Sequence, residues 1–375
     1  MALNLRIVAG LVAVILISTF AIFLYFLGFF SPLTYPIPTV RDTLVYVANF
    51  GNNTVSVINS NKNVVVDTIH VGAEPESMQI SADRKWLYVA NYGSNTVSVI
   101  DTFTDQIEKN ILVGVQPTSI LINPNGKQIY VINYNISINP VTGSGEIGKS
   151  TISVINTSTD LVTNTISFNL TTSILRIDSM AITPNGTKLY LGGYYEVANK
   201  SAEWSNRAVW VVNIRNMSAP QLLTSQIESG GSDMLLISSH SGKYIYGTYG
   251  GSTFFSINTK NNTILPIKFR AEHPYVFSLA ISPDDKYLYA SDAYIGQGHF
   301  AASLDILNMS NNNTRHINLN SMGQIAVVND NLVYITDYYG GSVILLNTSS
   351  GVILNKIGVG SEPISIVLQP FGLGS

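Results

Sequence analysis

One stretch of sixteen residues recurs along this chain, and it limits the fold more than any other feature. Leu44-Val45-Tyr46-Val47-Ala48-Asn49-Phe50-Gly51-Asn52-Asn53-Thr54-Val55-Ser56-Val57-Ile58-Asn59 returns 42 residues on as Leu87-Tyr88-Val89-Ala90-Asn91-Tyr92-Gly93-Ser94-Asn95-Thr96-Val97-Ser98-Val99-Ile100-Asp101. Aligning the tyrosines places Tyr46, Tyr88, Tyr130, Tyr190, Tyr246, Tyr289 and Tyr334 at spacings of 42, 42, 60, 56, 43 and 45. Short apolar runs that alternate at a period near 42 fit units of four strands stacked around an axis.

Each unit reads as an apolar strand such as Glu76-Ser77-Met78-Gln79-Ile80, then a Pro/Asn/Asp/Gly turn, the Tyr strand, a Val-Ser-Val-Ile strand and a polar edge strand. The turn residues supply a preset φ or tolerate a positive one. The chain enters the domain on a Tyr strand that lacks a first strand. It ends on Pro363-Ile364-Ser365-Ile366-Val367-Leu368, a first strand with no Tyr strand after it. Pairing the two closes the ring and removes its open edges. The sequence therefore predicts an all-β, seven-bladed β-propeller of four-stranded antiparallel blades, closed by the C-terminal strand. It is preceded by one transmembrane helix. The domain plan is a cytoplasmic tail over 1–6, a signal-anchor helix over 7–30, a Pro-rich linker over 31–43 and the propeller over 44–375.

The motif Tyr88-Val89-Ala90-Asn91-Tyr92-Gly93-Ser94-Asn95-Thr96-Val97-Ser98-Val99-Ile100-Asp101, with Val71-Gly72-Ala73-Glu74-Pro75 joining blades, resembles the YVTN family of β-propellers of archaeal and bacterial surface-layer-type proteins. It is strong in blades 1 and 2, fair in blades 3 and 7, and reduced to spacing in blades 4 to 6. The resemblance implies a propeller, often in a surface setting, and no particular reaction.

The run Ile7 to Phe30 carries no charge over 24 residues. At 1.5 Å per residue it spans a hydrocarbon core of about 30 Å. It is too long for a cleaved leader, and Leu27-Gly28-Phe29-Phe30 is a poor cleavage site. Arg6 before it orients the N-terminus to the cytoplasm and the propeller outside. Sequons at Asn52, Asn135, Asn156, Asn169, Asn185, Asn199, Asn216, Asn261, Asn308, Asn312 and Asn347 fit an exported glycoprotein with covalent N-glycans. Charged residues are only 11% of the chain and the formal net charge is −3, so nucleic acid is not an expected partner. The absence of cysteine excludes disulfides, thiolate metal sites and a cysteine nucleophile. Few carboxylates and cations together with many sequons would suit a thermoacidophilic archaeal surface.

The connections from the Tyr strand to the third strand are lengthened in blades 3, 4 and 6, which puts all three insertions on one face. The same face is expected to carry a ring of aromatics: Phe50, Tyr92, Tyr134, Tyr194, Tyr249, Tyr294 and Tyr338. The insertions add Tyr195, Trp204, His299 and Phe300. Packing between blades accounts for the repeat positions, so Trp204 and His299 are the first candidates for binding. None of His70, His240, His273, His299 and His316 has zinc-motif spacing to another. Arg270, Glu272 and His273 precede Pro274 on the insertion-bearing face. Glu74 and Glu362 fall in Gly-x-Glu-Pro joints on either side of the closure, and Asp101 to Asp105 resembles a calcium loop only superficially. No catalytic residue, metal or cofactor is expected. The main expectation is a membrane-anchored binding or scaffolding module for a protein partner or glycan of the cell envelope, such as an S-layer, a filament or a membrane-complex subunit. The alternative is a propeller enzyme, lactonase-like or a cofactor-dependent oxidoreductase, with its site at the channel mouth.

Overall fold

The computed structural model describes residues 43–369 apart from 139–144, 169–173, 197–205, 228–232, 250–252, 270 and 297–298. Seven four-stranded antiparallel sheets follow one another, with one additional two-stranded hairpin. The closure expected from the orphan strands is present. Leu44–Asn49 pairs with Pro363–Leu368 on one side and Thr54–Asn59 on the other, and Val64–His70 lies outermost in blade 1. The innermost strands of blades 2 to 7 are Pro75–Ile80, Pro117–Ile122, Ile174–Ile182, Leu235–Ser238, Tyr275–Ile281 and Ile325–Asn329.

The tyrosines that set the repeat are structural. All seven are buried, Tyr246 the least so at 6% exposure. Several hydroxyls bind the neighbouring blade: Tyr190 donates to Asn262 Oδ1 at 2.7 Å and Tyr334 to Asn63 Oδ1 at 3.3 Å. A buried aromatic body with a satisfied hydroxyl joins blades without leaving a polar atom stranded. Asn63 and Asn262 belong to a second repeated device. Asn59, Asp101, Asn156, Asn213, Asn258, Asn308 and Asn347 each end a third strand, and each side-chain oxygen accepts backbone N–H groups of the turn that follows. Four residues further on, Asn63, Asp105, Asp160, Met217, Asn262, Asn312 and Gly351 all take positive φ. The Asp101 segment is thus one of seven Asx turns.

The innermost strands are latched side chain to backbone. Ser365 Oγ accepts the Met78 N–H at 3.2 Å, Ser77 Oγ that of Ile120 at 3.3 Å and Ser278 Oγ that of Ile325 at 3.1 Å. Gln324 Oε1 takes the Ile366 N–H at 2.6 Å and so bonds blade 7 to blade 1. The insertions extend the second and third strands: blade 4 runs Lys188–Glu196 against Asn206–Asn213, and blade 6 runs Tyr287–Gly296 against His299–Asn308. Blade 3 instead adds the hairpin Ile136–Ile138 and Gly145–Ile147. The expected anchor and linker, residues 1–42, lie outside the described residues. Among the described residues no helix is long and apolar enough to cross a membrane.

Candidate functional site at the channel mouth

The site is built by a β-bulge repeated around the axis. Against the Tyr strand, the register of the innermost strand skips one residue between Pro75 and Ser77, Pro117 and Ser119, Ile177 and Ser179, and Val276 and Ser278. In blade 1 the shift falls opposite Ala48 and Asn49, which skips Ile364. A bulge leaves its extra residue unpaired and re-aims the side chain. Glu76, Thr118, Asp178, Phe277 and Ile364, so released, all line one cavity of about 440 Å³. Every blade contributes to its wall, with Leu235 from blade 5 and Met322, Gly323 and Gln324 from blade 7. The bulges lie where the innermost strands begin, so the cavity opens on the face that carries the insertions. A second space of about 570 Å³ continues along the axis and shares Ser77, Ser119, Ser179 and Gln324 with the first.

The blade joints bring aromatics to this mouth. Glu74, Gln116 and Glu362 each precede a proline with φ near +55°. Their carbonyls accept the N–H groups of Tyr92 at 2.8 Å, Tyr134 at 3.1 Å and Phe50 at 3.0 Å. Gly93 keeps the approach open, because a Cβ there would lie 2.9 Å from the Glu74 carboxylate.

The charges gather around Arg176. Its Nε lies 2.9 Å from Asp178 Oδ1, and its Nη2 bonds Asp233 Oδ1 at 2.8 Å and the Tyr134 hydroxyl at 3.1 Å. The guanidinium sits 4.7 Å from the Tyr134 ring centroid and 5.8 Å from that of Tyr194, within cation–π range. The Asp178 carboxylate is fully buried and accepts the Met234 N–H at 3.0 Å. Burial raises its pKa, repulsion from Asp233 adds to this, and Arg176 opposes both. Glu76 has no ion pair among the described residues. Burial pushes it up to about 7, with Asp233 and Glu74 adding charge repulsion. A half-buried carboxyl that changes charge near neutral pH beside a concave cavity is suited to proton transfer.

The residues expected from sequence divide into groups. Tyr134 and Tyr194 flank Arg176, Tyr338 lines the cavity, and Tyr92 lies close enough to feel the charges of Glu76 and Glu74. Tyr249 is buried and stacks on Phe255 at 4.2 Å, and Tyr195 packs on Trp210 at 6.1 Å, so both serve the core. Tyr294 is exposed, and Phe50 contacts Tyr92 at 6.4 Å. His299 and Phe300 fall in the blade 6 extension, where their side chains lie outside the description; Trp204, Arg270, Asn169 and Asn199 lie outside the described residues altogether. Glu362 packs over Gly51 and Glu74 over Gly93, in separate blades. Among the described residues no group of three His, Asp or Glu is arranged to hold a metal.

Glu272 and His273 belong to a different, structural cluster. Their N–H groups bond the buried carboxylates of Asp305 at 2.6 Å and Asp292 at 2.8 Å. Ser303 bridges Asp292 and Asp305, and His316 Nδ1 meets Asp305 at 2.7 Å. The same positions in blade 2 are Asn91, Thr96, Ser98 and Asn110. In blade 1 Asn49 likewise accepts a joint N–H, that of Gly360, at 3.1 Å. The acid pair of blade 6 takes the place of the polar lock built on Asn49 in blade 1, Asn91 in blade 2 and Asn133 in blade 3.

The fold and mouth define a seven-bladed β-propeller with an acidic channel opening. No family model matches the chain, and no curated protein matches it. Solved structures do. A putative 6-phosphogluconolactonase from Bacteroides uniformis is 16% identical with a TM-score of 0.62, covering 88% of this chain and 100% of that one. The periplasmic gluconolactonase PpgL of Pseudomonas aeruginosa is 14% identical with a TM-score of 0.64, covering 88% and 99%. Hydrazine synthase of Kuenenia stuttgartiensis is 17% identical with a TM-score of 0.61, covering 85% and 99%. At these identities the likeness is one of fold.

Proposed function

We propose that the channel mouth is the working site of a hydrolase acting on a small lactone or related cyclic ester. The observation that carries this is Glu76, a carboxyl with its pKa near 7 projected by a bulge into a cavity where all seven blades meet. Lactone hydrolysis needs a base to take a proton from water as it attacks the carbonyl, and a donor to hold the developing oxyanion. Glu76 is the base and Arg176 the charged donor, steadied by Asp178, Asp233 and Tyr134. The likeness in fold to the putative 6-phosphogluconolactonase and to the gluconolactonase PpgL supports the choice of reaction. Purified protein is expected to open δ-gluconolactone or a simpler δ-lactone faster than buffer does, and Glu76→Gln to remove the difference. Equal rates with and without protein would refute the assignment.

The domain is displayed outside the cell, tethered by residues 7–30, as a member of the YVTN-type propellers. Thr43, where the described domain begins, adjoins the start of a second strand and so lies on the face opposite the mouth. A second reading, docking to an envelope partner, draws on the outer strands. Val352, Ile353 and Leu354 are 50–54% exposed on blade 7, and Val64 and Val66 are exposed on blade 1, an apolar rim of the kind used for protein contacts. Capture of a defined envelope protein from native membranes, lost on Ile353→Lys, would support it; unchanged capture would remove the rim from consideration.

Sequons fit this placement less directly than their number implies. At Asn156, Asn308 and Asn347 the Asn oxygen bonds the N–H and hydroxyl of the serine two residues on. The Asx turn alone explains Asn-x-Ser there.

A further inference from the structure

We propose that the mouth selects an uncharged ligand with one apolar side, an alkyl- or aryl-substituted lactone in preference to a phosphorylated or fully hydroxylated one. This rests on the reading of the mouth as the ligand site. The bulge positions are equivalent by register yet differ in chemistry around the ring. Blades 2 to 4 project Glu76, Thr118 and Asp178, while blade 5 contributes Leu235 and blades 6 and 1 project Phe277 and Ile364. The cavity is therefore polar along blades 2 to 4 and apolar at blades 5, 6 and 1, with Met322, Gln324, Thr336 and Tyr338 of blade 7 making a mixed wall between the last two.

Each arc holds an unmet demand. Phe277 is 41% exposed although it faces the cavity, and an apolar ligand group would cover it. On the polar arc the Thr118 hydroxyl is buried with no hydrogen-bond partner among the described residues. Buried hydroxyls are nearly always paired, so Thr118 is left for a group that a ligand or water supplies.

Charge excludes an anionic ligand. Asp233 and Glu74 repel Glu76, Asp233 also repels Asp178, and Arg176 and Arg207 are cations that act on Asp178. Arg176 already shares its charge with Asp178 and Asp233, so it can donate to a developing oxyanion but does not offset a dianion. A phosphate dianion would meet more negative than free positive charge, in a site where partial burial strengthens the repulsion. The putative 6-phosphogluconolactonase of Bacteroides uniformis shares the fold, and this mouth is unsuited to a phosphorylated lactone.

Calorimetric binding of three lactams, which resemble lactones but resist hydrolysis, separates this inference from the reading beneath it. The probes are 6-pentylpiperidin-2-one, δ-gluconolactam and δ-gluconolactam 6-phosphate. The pentyl lactam is expected to bind at least tenfold more tightly than gluconolactam, with the phosphate weakest. Phe277→Ser is expected to erase most of that tenfold advantage. Gluconolactam or its phosphate binding as tightly as the pentyl lactam would overturn the inference and leave the mouth as the site. So would a Phe277→Ser variant that folds and keeps the full advantage. Binding by none of the three would overturn the mouth itself. The ranking on the unaltered protein decides the matter even where the variant does not fold.

Discussion

Glu76 illustrates how a single residue is set against the stability of its own fold. Its pKa stands at about 7 in the folded chain against an ordinary value of 4.5. A carboxyl raised in this way binds more protons folded than unfolded between those values. Stability is therefore lost as pH rises from about 4.5 to 7, and the loss is complete above 7. Glu76→Gln is expected to match the unaltered protein at pH 4 and to exceed it at pH 8 by ~3 kcal/mol. Urea midpoints at the two pH values check this; an equal difference at both would mean that Glu76 is not strained by burial. His316 changes stability with pH in the same direction, but as a favourable contact that is lost rather than a cost that appears. Burial pulls its pKa down, but the Asp305 contact outweighs this and the net shift is upward. Its contribution is full below the unfolded value and fades as pH rises through the folded one. Arg176 should tolerate no conservative swap. Arg176→Lys keeps one charge but cannot reach Asp178, Asp233 and Tyr134 together, and a fall in turnover of about tenfold or more is expected.

At the scale of the strand, the sequence carried more of the site than its motif suggests. Glu76-Ser77, Thr118-Ser119, Asp178-Ser179, Phe277-Ser278 and Ile364-Ser365 share a fixed serine behind a variable residue. The serine faces the next blade, where Ser77, Ser278 and Ser365 latch a backbone N–H. The bulge aims the variable residue at the axis. Comparing blades column by column could have located the mouth. The apolar reading of the first strand concealed it, because a bulge breaks the two-residue alternation on which that reading depends. Asp233 leaves no such trace: it sits in an irregular joint and reaches Arg176 over 57 residues of sequence. Two predictions follow from these devices. Ser77→Ala removes one latch and should cost ~1 kcal/mol with the fold intact. Asp292→Asn should be tolerated, because Asn49 and Asn91 occupy the same position in blades 1 and 2. Burial raises Asp292 to about 7, so the gain from Asp292→Asn should appear at pH 8 and vanish at pH 4. A loss of melting temperature at pH 8 would show that the acid pair is required.

For the whole molecule, tyrosine spacing and the two orphan strands were enough to foresee seven blades and their closure, since each follows from burying apolar strands without leaving an open edge. What the ring binds was not legible in the same way. Repeat positions report packing, and the working residues are where blades differ. Deleting residues 363–375 should expose the inner edge of the Leu44–Asn49 strand and replace a cooperative melt by aggregation. A cooperative melt in the truncated chain would contradict the account of closure. The central claim, that the mouth uses Glu76 as a base, is tested most directly by the pH dependence of kcat/KM for lactone opening. The rate is expected to climb through a single ionisation near pH 7, a limb that disappears in Glu76→Gln along with a ~100-fold or greater fall in kcat/KM. An unchanged profile in Glu76→Gln would contradict it.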